Sequence, residues 1–262
     1  MTDARNEALA EVLRRIDRPA IAVSGGVDSV TLSAFAHATL PSVTMVHAVS
    51  PAVPESATNR VKRIAGEHDW DLRLVDAREF EDARYLANPA NRCFFCKTNL
   101  YGTMARVVGG TLLSGTNLDD LSDWRPGLEA AKDHAVRHPF VEARYTKGDI
   151  RALAARLDLR DIAELPASPC LSSRVETGLK IEPAMLRLVD DVESHVRARY
   201  GVSLVRCRRR AGGFVLELDP AKLATMADRQ REKMAADASK IAGESVALEP
   251  YRRGSAFLRG AQ

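Results

Sequence analysis

Ile21-Ala22-Val23-Ser24-Gly25-Gly26-Val27-Asp28-Ser29-Val30 is the stretch on which the reading of this chain turns. The apolar run Ala20 to Val23 predicts a buried strand. A Ser-Gly-Gly turn follows, and Ser29 is expected to open a helix carrying Val30, Leu32, Ala34 and Phe35. Strand, glycine turn and helix start in succession make an anion site, because the first helical N–H groups lack partners and the helix dipole favours negative charge there. Gly25 and Gly26 let the backbone approach a phosphate closely. Asp28 would repel a phosphate unless a magnesium ion bridged the two, so Mg²⁺ is expected with the ligand. The blander alternative is a plain strand-to-helix turn capped by Ser or Asp. The full string SGGVDS after a buried strand favours the phosphate cradle Ser24, Gly25, Gly26, Val27, Asp28 and Ser29. No Gly-Lys-Ser/Thr follows, so this is not a Walker loop.

Outward from this stretch, strands and helices alternate. An amphipathic helix is expected over residues 4–16, then strands over 43–48, 72–75 and 111–114, with a helix over about 55–68. That alternation predicts an α/β fold with a doubly wound parallel sheet. In such a sheet the ligand binds beyond the carboxyl ends of the strands. Gly115-Thr116-Asn117-Leu118-Asp119-Asp120 lies at one such end, which makes Thr116, Asn117 and Asp119 candidates for nucleotide contact, and Asp119 or Asp120 for metal contact. Asp123-Trp124-Arg125-Pro126-Gly127 leads into a short helix, and Thr146 is expected to cap a helix over 147–157. The proline-broken segment Leu165 to Arg174 must be a loop. Beyond it a long helix (about 182–200), strands 203–207 and 214–218, a helix over about 220–238 and a strand near 245–248 suggest a smaller α+β domain. The expected domains are therefore 1–172 and 173–262.

The chain of 262 residues can bury a large core. With 45% hydrophobic and 28% charged residues it has the composition of an ordinary globular protein. A net charge of +3 is too small to argue for nucleic acid. No apolar run reaches membrane-spanning length, and residues 1–11 are charged, so the expected location is the cytoplasm. Four cysteines in so long a chain are no disulfide framework. Cys93 and Cys96 form a C-x-x-C pair, expected just ahead of a helix, that lets two thiolates converge on one metal. A redox pair is the competing reading, and Asn-Arg before the motif does not suggest the helix start which that chemistry uses. Cys170, on its loop, is the natural third ligand. Three cysteines suit a [4Fe–4S] cluster with one open iron, and zinc is the alternative. Cys207 is assigned to packing. Arg206, Arg208, Arg209 and Arg210 read either as a solvated strand end or as a phosphate clamp, with RNA contact ranked lower because no aromatic residues are interleaved.

The string SGGVDS resembles the pyrophosphate (PP) loop of the ATP pyrophosphatase superfamily, the adenine nucleotide alpha hydrolase-like enzymes that cleave ATP between its α and β phosphates. Taken with NPANRCFFCK, SGTNLDD, DWRPGLEAA, PASPCLSSR and the ending ALEPYRRGSAF, it resembles the LarE-type ATP-dependent sulfur transferases over residues 15–258. The resemblance implies nickel-pincer nucleotide cofactor biosynthesis: ATP activates carboxylates of a pyridinium dicarboxylate mononucleotide, and sulfur is then installed. ATP and Mg²⁺ would sit on the Ser24–Ser29 loop. Cys93, Cys96 and Cys170 would hold the cluster in the variety that turns over. In the other variety Cys170 gives up its own sulfur and becomes dehydroalanine. Arg206 and Arg208, with Arg174, are candidates for the substrate's phosphate. The family also implies a homo-oligomer and other cofactor-biosynthesis enzymes as partners. Where the family commonly continues with an Ile-Pro-Tyr-Gly-like turn, this chain has Val175-Glu-Thr-Gly178, which puts Glu176 near the expected anion site. Two rival readings are a tRNA sulfur transferase, with the arginine run as its RNA contact, and a non-catalytic nucleotide-binding regulator.

Overall fold

The computed structural model describes residues 2–122, 126–252 and 254–255. The helices in chain order are α1 (Thr2–Arg14), α2 (Val27–Thr39), α3 (Glu55–Glu67), α4 (Ala83–Leu86), α5 (Arg92–Val108), α6 (Pro126–Asp133), α7 (Pro139–Glu142), α8 (Lys147–Arg156), α9 (Arg160–Ala163), α10 (Pro183–Tyr200), α11 (Pro220–Thr225) and α12 (Asp228–Ala242). The strands are β1 (Pro19–Ala22), β2 (Thr44–Ala48), β3 (Asp71–Val75), β4 (Thr111–Leu113), β5 (Val205–Arg210), β6 (Gly213–Leu218) and β7 (Val246–Pro250). Two compact units result. One comprises residues 1–82 and 91–168, the other residues 83–90 and 169–262. The change of unit near the cysteine loop falls at Ser168/Pro169 instead of after residue 172, and a short insert from the first half of the chain joins the second unit.

In the first unit the strands run parallel in the order β3-β2-β1-β4. The period of two along each strand sorts side chains onto two faces. Ile21, Met45 and Leu113 enter one buried cluster with Leu9 and Leu13 of α1 and Val30 and Phe35 of α2. Their neighbours Ala20, Val46 and Leu112 enter a second cluster with Leu100, Tyr101 and Met104 of α5. Both faces of the sheet are buried, which is why these strands read as continuous apolar runs. The second unit holds a three-stranded sheet in which β5 and β6 are antiparallel and β6 and β7 parallel, with α10 packed against β5 and α12. The fold is thus a doubly wound α/β sheet with a smaller C-terminal α+β part. No helix among the described residues is long and apolar enough to cross a membrane.

The expected elements are present, with shifted ends. Helix α2 begins at Val27 instead of Ser29, with Gly26 as its N-cap. Ser29 lies inside the first turn, where its hydroxyl donates to the Gly26 carbonyl at 3.2 Å and accepts the Ser24 N–H at 3.0 Å. The expected helix over 220–238 breaks at Met226, in extended backbone, into α11 and α12. Thr146 caps α8 through a capping box with Asp149, as its spacing predicts.

One buried polar group braces the start of the glycine loop. His47 on β2 bridges the Val23 carbonyl, 2.8 Å from Nδ1, and the Thr58 hydroxyl of α3, 2.9 Å from Nε2. Nδ1 must donate to the carbonyl, so Nε2 of a neutral ring accepts from Thr58. Burial pulls the His47 pKa below its ordinary value of 6.5. The unfolded chain therefore takes up the proton more readily than the folded one. The stabilisation is complete above about pH 6.5 and is lost as the pH falls below it. The melting-temperature difference between wild type and His47→Gln should shrink by several degrees from pH 7.5 to pH 5.5, at roughly 2–4 °C per kcal/mol. A difference that does not vary with pH would contradict the neutral strut.

Candidate functional site

The strand order reverses between β1 and β4, and the loops leaving their carboxyl ends meet there. Gly25 has φ +82°, and a Cβ on it would lie 2.8 Å from the Ala57 carbonyl oxygen of α3, so both conformation and space demand glycine. Gly115, leaving β4, packs so closely on the start of α2 that a Cβ would lie 2.8 Å from both the Asp28 carbonyl carbon and the Ser29 nitrogen. The Ser24 and Ser29 hydroxyls stand 3.1 Å apart and close the loop on itself. The α2 N-cap is a glycine with no side chain to cap the first N–H groups, which leaves them to a ligand.

Asp28 and Asn117, both predicted from sequence, come together here: the Asn117 amide donates to Asp28 Oδ1 at 3.4 Å. Asp28 Oδ2 accepts from Lys147 Nζ, at the start of α8, at 2.5 Å. Burial raises the Asp28 pKa despite the opposing pull of Lys147. Asp119 Oδ2 accepts the Lys147 backbone N–H at 2.8 Å, and Asp120 Oδ2 accepts the Asn117 N–H at 3.2 Å. These two expected metal carboxylates therefore also order the loop itself. Thr116 Oγ1 is 2.9 Å from Ser114 Oγ, which in turn is 2.8 Å from Nδ1 of the half-buried His138. Among the described residues no three His, Cys, Asp or Glu side chains form a group that could hold a metal ion.

Two cations at this site escaped the sequence reading. Lys147 was read only as the first residue after a cap. Arg60, half-buried on α3, donates to the Gly25 carbonyl at 2.9 Å. It shares its helix with Arg63, which forms surface pairs with Glu67 and Asp161, and spacing alone does not separate the two.

Cys93 and Cys96 belong to the first unit and Cys170 to the second, and none of the three is in a disulfide. Helix α5 begins at Arg92 with Asn91 as N-cap, so the C-x-x-C lies within its opening turns. This corrects the expectation that the helix starts after the motif, and with it the ground on which a helix-start redox pair was set aside. Residues three apart on a helix are surface neighbours, so the two partly exposed thiols share one side of α5. Gly127 of α6 packs on that turn, where a Cβ would lie 3.2 Å from Lys97 Cγ. Asp123, Trp124 and Arg125 of the DWRPGLEAA string, and Arg253, Ala256 and Phe257 of the tail, lie outside the described residues.

In the second unit Cys170 is exposed, at the head of a single 3-10 turn, Leu171–Arg174. Arg174 is fully buried and holds this turn together. Its guanidinium forms a two-pronged pair with Glu193 at 2.9 and 3.1 Å and donates to the Pro169 and Cys170 carbonyls at 2.7 and 3.2 Å. Burial opposes both charges, and their mutual attraction outweighs it, holding Arg174 above and Glu193 below their ordinary ranges. Arg174 is thus a scaffold of the cysteine loop, not an open phosphate fork. Nor is the arginine run a solvated strand end, since Arg206 and Arg208 are each 5% exposed. Arg208 bonds Glu217 at 3.0 Å and the Ser173 carbonyl at 2.9 Å, while Arg209 and Arg210 pair with Glu244, Glu217 and Glu249. Burial and the neighbouring Arg174 charge bring Arg206 down to about 10. Glu176 accepts the Ala211 N–H at 2.8 Å and so braces the β5–β6 turn. Cys207 is buried, and burial pushes its thiol pKa up, in keeping with packing.

No family model matches the chain. An uncharacterized protein of Synechocystis sp., slr1717, is 35% identical over 232 residues, covering 85% of this chain and 84% of the relative. The chain belongs to the family of that protein. A second relative, MJ0830 of Methanocaldococcus jannaschii, is 25% identical over 203 residues, 76% of this chain and 77% of its own. The pyridinium-3,5-bisthiocarboxylic acid mononucleotide synthase of Lactiplantibacillus plantarum is 26% identical over 225 residues, 84% of this chain and 81% of its own. That likeness is consistent with a LarE-type protein.

The glycine contact at the strand-order reversal makes a direct prediction. Gly115→Ala sets a methyl group against backbone that no side-chain rotation can relieve, and overpacking of this kind costs about 1–3 kcal/mol. Thermal unfolding should show a melting temperature several degrees lower, whereas Gly66→Ala, on α3 with open space around it and an ordinary φ, should not lower it.

Proposed function

We propose that this chain is an ATP-dependent sulfur transferase that acts on a carboxylated pyridinium mononucleotide in nickel-pincer cofactor biosynthesis. The observation that carries the reading is the glycine loop and open α2 start at the strand-order reversal, with Asp28, Asn117 and Lys147 gathered beside it. The chemical class of the substrate follows from the relative in Lactiplantibacillus plantarum.

ATP would lay its phosphates along residues Ser24 to Ser29, facing the first N–H groups of α2. Its Mg²⁺ would meet Asp28, releasing Lys147 Nζ to a phosphate oxygen. A substrate carboxylate oxygen attacks the α-phosphorus, the bond to the bridging α–β oxygen breaks, and pyrophosphate leaves. Lys147, Arg60 and the helix end offset the negative charge that builds there. Arg206 is assigned to the substrate's own phosphate, with Arg208, whose guanidinium is taken up by Glu217 and the Ser173 carbonyl, and Arg174 behind it as support. Sulfur then replaces AMP at the acyl carbon.

Cys93, Cys96 and Cys170 would hold the [4Fe–4S] cluster: none of them is in a disulfide, and two stand one turn apart on α5. When bound, the cluster supplies a site for an additional sulfide; the same thiols would also take zinc. In the sacrificial route the exposed Cys170 thiol attacks the acyl carbon and expels AMP. Elimination across its Cα–Cβ bond then leaves the thiocarboxylate and dehydroalanine.

Pyrophosphate release that depends on the carboxylated mononucleotide is the direct test. Lys147→Ala should lower it at least tenfold. Cys170→Ser should leave it within twofold of wild type while abolishing sulfur incorporation. Release without the mononucleotide, or none at all, would favour a nucleotide-binding regulator instead. Iron and acid-labile sulfide should be found at about four per chain in anaerobically purified protein and be lost in Cys93→Ala, Cys96→Ala and Cys170→Ala alike. Zinc in their place, or dehydroalanine at position 170 after turnover, would reject the cluster assignment.

A further inference from the structure

The segment Ala83–Ala90 lies within the second unit, although it comes from the first half of the chain. It makes a set of hydrogen bonds to the loop that follows Cys170. Asn88 is fully buried and has φ +54°, a left-handed conformation in which asparagine is one of the few tolerated side chains. Its side-chain amide donates to the Glu176 and Leu179 carbonyls, both at 2.9 Å, and lies 3.5 Å from the Val175 carbonyl. Its own carbonyl accepts the Gly178 N–H at 2.9 Å, and the Leu86 carbonyl accepts the Ile181 N–H at 2.9 Å. Tyr85, also buried, bonds its phenol to the Ser172 hydroxyl, two residues from Cys170.

Residues 175–181 lie in no helix and no named strand, and Val175 makes one isolated bridge to Arg209. The Glu176 carbonyl takes the Leu179 N–H at 3.0 Å, and one asparagine adds two donors and one acceptor to hold the segment. The sequence singled out NPANRCFFCK for its cysteines, and the structure gives the leading asparagine separate work.

We propose that Asn88, seconded by Tyr85, is the positioning residue of the Cys170 loop, holding residues 172–181 in the shape that presents the Cys170 thiol. The role in catalysis rests on the function proposed above, whereas the clasp itself does not. Asn88→Gly isolates the side chain, because glycine keeps the left-handed backbone at little cost. Asn88→Asp would instead turn a carboxylate towards carbonyl oxygens.

The experiment follows three readouts in Asn88→Gly and Tyr85→Phe. Amide exchange should quicken at least tenfold at Gly178, Leu179 and Ile181 while the amides of β6 keep their wild-type rates. Alkylation of Cys170 by iodoacetamide should change at least threefold while buried Cys207 stays protected. Sulfur transfer should fall at least tenfold with pyrophosphate release within twofold of wild type, a split that general loss of stability would not produce. Exchange that quickens equally in β6, or wild-type alkylation and sulfur transfer in Asn88→Gly, would overturn the assignment. If wild type itself releases no pyrophosphate, the functional reading fails, and the exchange and alkylation pattern still decides the clasp.

Discussion

Asp28 and Lys147 meet at 2.5 Å, and the geometry of the first unit's loop cluster depends on that ion pair. A carboxylate in the opening turn of a helix is favoured by the helix dipole, but burial raises its pKa and a phosphate ligand would repel it. A cation brought from a segment 119 residues away offsets part of these costs. The pairing requires the start of α8 to lie against the start of α2, and the loop after β4 to run between them. Asp119 fixes the backbone of Lys147, Asn117 turns its amide to Asp28, and Gly115 is bare because anything larger would push the β4 loop off the helix start. Under the proposed function, ammonium and carboxylate would part for a polyphosphate and its metal ion, each then finding a new counter-charge.

The second unit solves a different problem with the same physics. Its buried charges form two connected groups, Arg174–Glu193–Arg197 and Arg208–Glu217–Arg210. Buried pairs of this sort contribute little net stability over apolar residues of the same size, because desolvation offsets the attraction. They do impose geometry. The Arg174 and Arg208 guanidiniums have more donors than their carboxylates can take, and the surplus is directed at backbone carbonyls of the cysteine loop: Pro169, Cys170 and Ser173. The loop owes its shape to arginines and one asparagine rather than to regular secondary structure.

The elements that could be read from sequence were those with a strong local signature. Buried strands β1, β2 and β4 are short apolar runs, and the Thr146–Asp149 capping box follows its spacing. Boundaries moved wherever a neighbour supplied the deciding bond. Ser29 was taken as a helix start because serine caps helices, but its hydroxyl reaches back to Ser24 and Gly26, and the glycine ahead of it takes the cap position. The C-x-x-C was expected ahead of its helix and lies inside it. The arginine run reads equally as a solvated strand end or a phosphate clamp, and it is Glu217 on the paired strand β6 that draws Arg208 and Arg210 into ion pairs.

By itself the sequence determined the α/β alternation, the strand–turn–helix loop with its two glycines, the trio of candidate thiols and the meeting of the Asp28 and Asn117 motifs at one end of a sheet. These follow from periodicity and backbone freedom, which are properties of neighbouring residues. Only the tertiary structure decided which charges face each other. Lys147 stands on Asp28, Arg60 on the Gly25 carbonyl, Arg174 within the cysteine loop and Asn88 under it, at separations of 119, 35, 5 and 88 residues. An isolated lysine, arginine or asparagine carries no mark of its partner. Its role is set by the burial that makes an unpaired polar group costly, and burial belongs to the fold.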